Sequence, residues 1–286
     1  VNRNGQLPLP DGRTRPGGSC RADGARVLET LSVAITTKNA GHLLRDCLAS
    51  VAFADEIIVV DMFSTDDTAE VCAAYPQCRM IQHEGYMMEN FNIAFDAARS
   101  DWILKIDTDE RLTAHLAAEI RSVLRDPPAG VTGFEFWERP IILGRELRNG
   151  FGRRHYKKSM FRRGSARYRV EHDHEDLDTS GTWLRMKNAY IHFNYPTVGD
   201  YLRKMNYYTE NDVRRMSLEG VHPATHTLVV EPLRAFYLYY LKYRGYRDGW
   251  VGLVDATMRA FYQFVQHAKI RERWEHERAR GTWLEP

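Results

Sequence analysis

Two aspartates separated by one residue close the stretch "WILKIDTDERL" (102–112), and a glutamate follows them. Like charges this close repel, and each resists burial unless a cation compensates it. Asp107, Asp109 and Glu110 therefore either sit in water at a helix start or hold a metal ion. Alternate residues of an extended strand point the same way. Asp107 and Asp109 are thus expected to present their oxygens on one side, with Thr108 on the other. Hard oxygen ligands suit Mg2+ or Mn2+, which bind through one or two carboxylates plus substrate phosphates. Such an ion would neutralise a nucleotide diphosphate. Glycine loops offer no alternative: there is no GxxxxGK[ST], no GxGxxG follows the first strand, and "GFGRR" (150–154) reads as plain loop.

Two further stretches carry chemistry. In "VVDMFSTDDT" (59–68), Asp61 suits hydrogen bonds from a base N–H or ribose hydroxyls. Ser64, Asp66 and Asp67 also suit capping of the helix that follows, Asp67 foremost and then Asp66. "VEHDHEDLD" (170–178) concentrates acids and histidines. A carboxylate or His that removes a hydroxyl proton contributes roughly 10²–10⁴-fold to transfer, so Asp173, His174, Glu175 and Asp176 are candidates for that role. His172 and His174 with His192 form a competing zinc set, disfavoured by the crowding acids and the lack of a nearby Cys.

The elements that must position these groups alternate in type. "LSVAITT" (31–37), "EIIVVD" (56–61), "RMIQ" (79–82) and "WILKID" (102–107) read as buried strands; 40–52, 66–75, 87–98 and 113–124 read as helices. That alternation predicts parallel βαβ units whose strands are covered on both faces. Ligands of open α/β sheets bind at the carboxyl ends of strands. Those ends carry Thr36, Thr37 and Lys38, then Asp61, then Asp107 and Asp109. Residues 131–195 read as mixed strands and loops, and 196–286 as helical and aromatic.

The totals exclude other classes. A net charge of +2 over 286 residues argues against wholesale nucleic-acid binding. No apolar run reaches the roughly 18 residues that span a bilayer. Cys20, Cys47, Cys72 and Cys78 form no CxxC pair and suit free thiols in a reducing compartment. Residues 1–26, polar and rich in Gly, Pro and Arg, carry no secretory signal and are expected to form a flexible arm. Residues 139–169 hold eleven Lys or Arg against one acid, Glu146. Most are expected to be a solvated face, but the concentration suits an anionic partner: the diphosphate, or a phosphorylated or lipid-linked acceptor.

Together these stretches resemble glycosyltransferase family 2, the inverting transferases with a GT-A nucleotide-sugar-binding fold. The likeness rests on "LSVAITTKN", "ADEIIVVDMFSTDDT" and "SDWILKIDTDER", and continues through "ERPIILGRELRNG", "MFRRG", "HEDLDTSG", "IHFNYPTVGDYLRKMNYYT" and "RGYRDGWVGLV". It spans roughly residues 31 to 270 and is most like the bacterial lipopolysaccharide-core glucosyltransferase branch. The resemblance implies an α/β fold: a mostly parallel sheet flanked by helices over 27–195, with a helical extension over 196–286. It implies a metal-dependent hexosyl transfer from a nucleotide-diphosphate sugar, a UDP-sugar foremost, to a glycan, glycoside or lipid-linked acceptor, with Mg2+ or Mn2+ as cofactor. A cytoplasmic enzyme is expected, with the cytoplasmic face of the inner membrane as the alternative site of work.

By position, Thr36, Thr37, Lys38, Asp61 and Ser64 would line the nucleotide site. Asp107 would meet ribose or metal, and Asp109 the metal-bound diphosphate. Glu175 after His174 would be the base, with Asp173 and Asp176 as alternatives. Two departures stand out: Met62-Phe63-Ser64 where relatives carry a small residue before the Ser, and Glu89 where they often have Lys or Gln. The aromatic helices after 230 are expected to pack on the catalytic domain or a second subunit, a membrane interface being the alternative. A nucleotidyltransferase would show a Gly-rich, Arg-containing loop where this chain has "TTKNAGH"; a silent scaffold need not keep both aspartates.

Overall fold

The computed structural model describes residues 28–169 and 177–280. Seven elements alternate as expected: β1 (Leu31–Thr37), α1 (Gly41–Val51), β2 (Glu56–Asp61), α2 (Thr68–Ala73), β3 (Cys78–Gln82), α3 (Met87–Ala97) and β4 (Trp102–Lys105). The chain continues through β5 (Glu110–Leu112), α4 (Ala114–Arg125), β6 (Val131–Ile142), β7 (Arg145–Glu146), β8 (Tyr156–Arg162), β9 (Ala166–Tyr168), β10 (Leu177–Thr179) and β11 (Thr182–Tyr195). Helices α5 (Val198–Leu218), α6 (Thr227–Phe236) and α7 (Gly249–Ala279) complete it.

One sheet runs in the order β3-β2-β1-β4-β8-β6-β11-β5, with β7 pairing β6. The first four strands are mutually parallel. Beyond them β8 runs antiparallel to β4 and β6, β11 parallel to β6, and β5 antiparallel to β11. The chain order reverses between β1 and β4, and such a switch point opens a crevice at the strands' carboxyl ends.

Why β1 is a strand is legible in its burial: every residue from Leu31 to Thr37 is buried. Leu31, Val33 and Ile35 pack with Leu44, Leu48 and Val51 of α1 and with Leu116 and Ile120 of α4. Ala34 faces the other way, with Ile58 and Val60 of β2, toward Phe91 and Phe95 of α3. An apolar run covered on both faces is what a parallel strand needs.

The helical region is fastened back onto the sheet. Thr197 and Asp200 form a reciprocal capping box that starts α5. The Tyr195 and Tyr201 rings stack at 3.8 Å. Arg259 of α7 pairs with buried Asp255 and lies over the Phe151 ring, 3.6 Å from its centroid. Helix α6 runs on through a π-helical segment, Tyr237–Lys242, before a short turn at Gly245–Asp248 leads into α7. Among the described residues, no helix is long and apolar enough to cross a membrane. Cys47 and Cys72 are buried free thiols, and Cys78 is half-buried.

Candidate active site

The loops after β1 and β2 are stitched together. Thr36 and Thr37 close β1, both buried, and the Thr37 hydroxyl has no hydrogen-bond partner. Lys38 is exposed. Asn39, in the left-handed region at φ 49°, donates its N–H to Ser64 Oγ (2.7 Å) and accepts from the Thr65 N–H (2.8 Å). Asp61, 2% exposed, accepts from Ser64 Oγ at 2.5 Å and from the Ser64 N–H. Asp61 and Ser64 are thus brought together. Between them Phe63 stands at φ 55° with its ring 53% exposed. A bulky residue at positive φ costs energy that its surroundings must outweigh.

One expectation about the next helix needs correction, that for Asp67, while that for Asp66 holds. Asp67 occupies the cap position of α2 but makes no capping bond; it pairs with Arg45 at 3.1 Å. Asp66 takes the work instead, accepting from the Thr68 N–H and from the Gly41 N–H at the start of α1. A Cβ on residue 41 would displace the Asp67 carboxylate and stand 3.0 Å from the Thr68 backbone nitrogen, a close approach that glycine relieves.

The aspartate pair is presented by a turn, contrary to the extended geometry expected. β4 ends at Lys105, and Glu110 closes the turn by donating its N–H to the Asp107 carbonyl (3.0 Å). The Glu110 carboxylate accepts the Asp107 N–H in return (2.9 Å). The backbone bends because its own polar groups are satisfied inside the turn, so the two carboxylates meet different partners. Asp107 Oδ2 accepts from Lys105 (3.1 Å) and from Lys157 of β8 (2.8 Å); Asp107 Oδ1 is buried without a hydrogen-bond partner. Asp109 Oδ2 accepts from Lys204 of α5 (2.8 Å), and its Oδ1 faces His192 Nε2 of β11 (3.4 Å). The other ring nitrogen of His192 lies 3.0 Å from Glu138 Oε2.

The electrostatics follow. Burial would raise the Asp107 carboxyl, but Lys105 and Lys157 outweigh it and hold it far below the usual range. Burial acts the same way on Asp109, yet His192 and Lys204 bring it to about 2. His192 would lose its proton on burial; Asp109 and Glu138 keep it, raising its pKa to about 10. Buried Lys105 is pushed down by desolvation, against the pull of Asp107.

A divalent ion is compatible with this set. Among the described residues, no three His, Cys, Asp or Glu side chains converge to hold a metal alone. That suits an ion that arrives with a diphosphate and takes only one or two protein carboxylates. The available donors are hard carboxylate oxygens, and Asp107 Oδ1 has no hydrogen-bond partner.

Glu175, His174, Asp173 and Asp176 lie outside the described residues, as do His172, Cys20 and the arm at 1–26. Sequence reasoning overlooked Lys105, Lys157, Lys204 and Glu138 as site residues. Lys105 left a signal, a lone cation inside an apolar strand that ends in acids. Lys157 was hidden in the basic run, and His192 appeared only in the zinc set. Nothing local marks Lys204 or Glu138. Several cations of that run pair with acids of the chain itself: Arg162 with Glu29, Arg167 with Asp96, Arg169 with Asp178 and Arg139 with Glu146.

A family model described as glycosyl transferase family 2 matches residues 32–191, more than half of the chain. The chain belongs to that family. This glycosyltransferase is 27% identical over 251 residues to the lipopolysaccharide core biosynthesis glycosyltransferase LpsC of Rhizobium meliloti, covering 85% of this chain and 92% of LpsC. It is 26% identical over 258 residues to a glycosyltransferase of Rickettsia felis, covering 86% and 90%. Its fold is similar to that of the mannosyltransferase PcManGT from Pyrobaculum calidifontis, at a TM-score of 0.51 and 12% identity, over 86% of this chain and 88% of the other. The resemblance to family 2 and the GT-A architecture drawn from sequence therefore hold.

Proposed function

We propose that this glycosyltransferase is an inverting, metal-dependent hexosyltransferase that moves a sugar from a nucleotide diphosphate, a UDP-hexose foremost, to a hydroxyl of a glycan, glycoside or lipid-linked acceptor. The observation that carries the reading is the turn at Asp107–Asp109, at the carboxyl end of β4 beside the sheet's switch point, ringed by Lys157, His192 and Lys204. Asp107 and Asp109 would hold Mg2+ or Mn2+, with His192 beside them; the ion would supply positive charge to the diphosphate. PcManGT was solved with GDP-Man and Mn2+, which supports a metal and a nucleotide sugar without choosing the base.

The chain's own groups have defined tasks. The unpartnered Thr37 hydroxyl and exposed Lys38 stand at the end of β1, next to the strand end that carries Asp61 and Ser64, a fit for a nucleoside, and exposed Phe63 offers a stacking surface for a base. The acceptor oxygen bonds to the anomeric carbon as the bond from that carbon to the diphosphate oxygen breaks. The nucleoside diphosphate departs with the electron pair, and lysine ammonium groups at the turn stabilise its charge. The hydroxyl proton passes to a carboxylate: Glu175 beside His174, with Asp173 and Asp176 as alternatives.

Peripheral membrane contact belongs to this reading. Val229, Leu233, Tyr237 and Leu241 recur at four-residue spacing along α6 and its extension, each about half or more exposed, with exposed Arg234, Lys242, Arg244 and Arg247 nearby. The decisive experiment is thermal unfolding with UDP, GDP, dTDP or CDP, each with Mn2+, Mg2+ or chelator, on the wild type and Asp109→Asn. One nucleotide should stabilise only with metal, and only the wild type. Failure of every nucleotide would sink the donor site.

A further inference from the structure

A cavity of about 480 Å³ opens between the β6–β7 hairpin, the turn at 150–154, the bulge of β11 near 187–189 and the start of α4. That size accommodates a small saccharide. Glu138 lines it and is 5% exposed. Its Oε2 accepts from the Tyr190 hydroxyl at 3.1 Å and meets His192. Its Oε1 is buried without a hydrogen bond; His155 Nε2 stands 3.3 Å away as an ion-pair neighbour. A carboxylate has about four acceptor positions, more than Tyr190, His192 and His155 occupy, and a sugar hydroxyl entering the cavity is a further donor for it.

The rest of the lining completes the chemistry. Trp137 spends its indole N–H on the Lys187 carbonyl (3.0 Å), so its ring face is what it offers a ligand. Arg139 and Arg148 share Glu146. Arg154 lies 4.3 Å over the Trp137 ring, and among the described residues no acid pairs with Arg154 or Lys187. The lining is therefore cationic beyond its own acids. Through His192, Glu138 is one side chain from Asp109.

We propose that this cavity is the acceptor subsite, and that the acceptor is a saccharide bearing a phosphate or carboxylate group. Its hydroxyls would meet Glu138, its apolar face Trp137, and its anionic group Arg154 and Lys187. The inference rests on the transferase reading above and names the acceptor class for it.

The test follows the Trp137 indole N–H by NMR, assigned with Trp137→Phe, during titration with glucose 6-phosphate, glucuronate, glucose or inorganic phosphate. An anionic sugar should shift the signal at concentrations about tenfold below those glucose needs, the gain of one charge-assisted contact. Arg154→Gln/Lys187→Gln should erase that gap while metal-dependent nucleotide stabilisation persists. Whichever anionic sugar responds more strongly identifies phosphate or carboxylate as the group read. Equal responses to glucose and both anionic sugars, no response to either anionic sugar, or a gap that survives in the double variant would overturn the proposal. So would inorganic phosphate acting as strongly as the sugars. Nucleotide stabilisation of the wild type is read separately, so its loss would fault the donor site rather than the acceptor subsite.

Discussion

The parallel strands β3-β2-β1-β4 and the mixed strands β8-β6-β11-β5 share one sheet but handle polar groups differently. In the parallel half, polar side chains gather at the carboxyl ends, and strand interiors are almost wholly apolar. In the mixed half, Glu138, Tyr190 and His192 form a buried or half-buried polar chain inside the sheet. The acids of the site belong to one short turn after β4. Their cations come mostly from the other half and beyond, Lys157 from 50 residues away and Lys204 from 95. Stability and charge balance should therefore be separable by mutation, one residing in the first half and the other between the halves.

The largest effect should come from the parallel core. Leu48→Ala, at a fully buried position in α1, should cost about 2–5 kcal/mol in chemical denaturation. Metal and nucleotide affinity of the folded protein should stay as they were; a matching loss of affinity would break the separation. The converse is Asp109→Asn, which should lower kcat/KM by about 10²–10³-fold, the scale of losing one preorganised charge contact. Its melting temperature should fall less than that of Leu48→Ala, since Lys204 keeps the Asn194 carbonyl and His192 keeps Glu138.

A smaller effect is expected where the halves meet. Lys204→Met removes an ammonium that is itself 37% exposed, so solvent screening trims the cost to about 1 kcal/mol. Mn2+ with nucleotide should restore much of that loss, because an ion can compensate Asp109 in its place. Stabilisation by Mn2+ and nucleotide that falls alongside would count against this. Smallest in stability is Phe63→Gly: relief at φ 55° and the added freedom of the unfolded chain oppose each other within about 1 kcal/mol. Nucleotide affinity should still drop roughly tenfold as the base loses its stacking surface. Unchanged affinity would remove Phe63 from the donor site.

The same contrast explains what could be read from the chain. Strands such as Ile57–Val60 announce themselves because double burial forces a continuous apolar run, and the helices between them because one face repeats every three or four residues. The aspartates were visible because two acids at a strand end need an explanation. Their presentation was not, since the turn depends on Glu110 folding back onto the Asp107 N–H. The partners of the acids were hidden for a related reason. A lysine on α5 looks like any surface lysine until the fold brings it to Asn194 and Asp109. Glu138 lies within a strand pattern that gives no hint of its neighbours Tyr190 and His192.

Lys204 has a consequence for what counts as a working piece of this protein. The segment that matches the family ends at residue 191, one short of His192, and the sheet ends at Tyr195. A fragment cut there would keep every strand and lose the ammonium 2.8 Å from Asp109. Anyone grafting the aspartate turn with its charge partners onto another module would have to carry α5 along, because the smallest transferable unit is longer than the segment that records its ancestry.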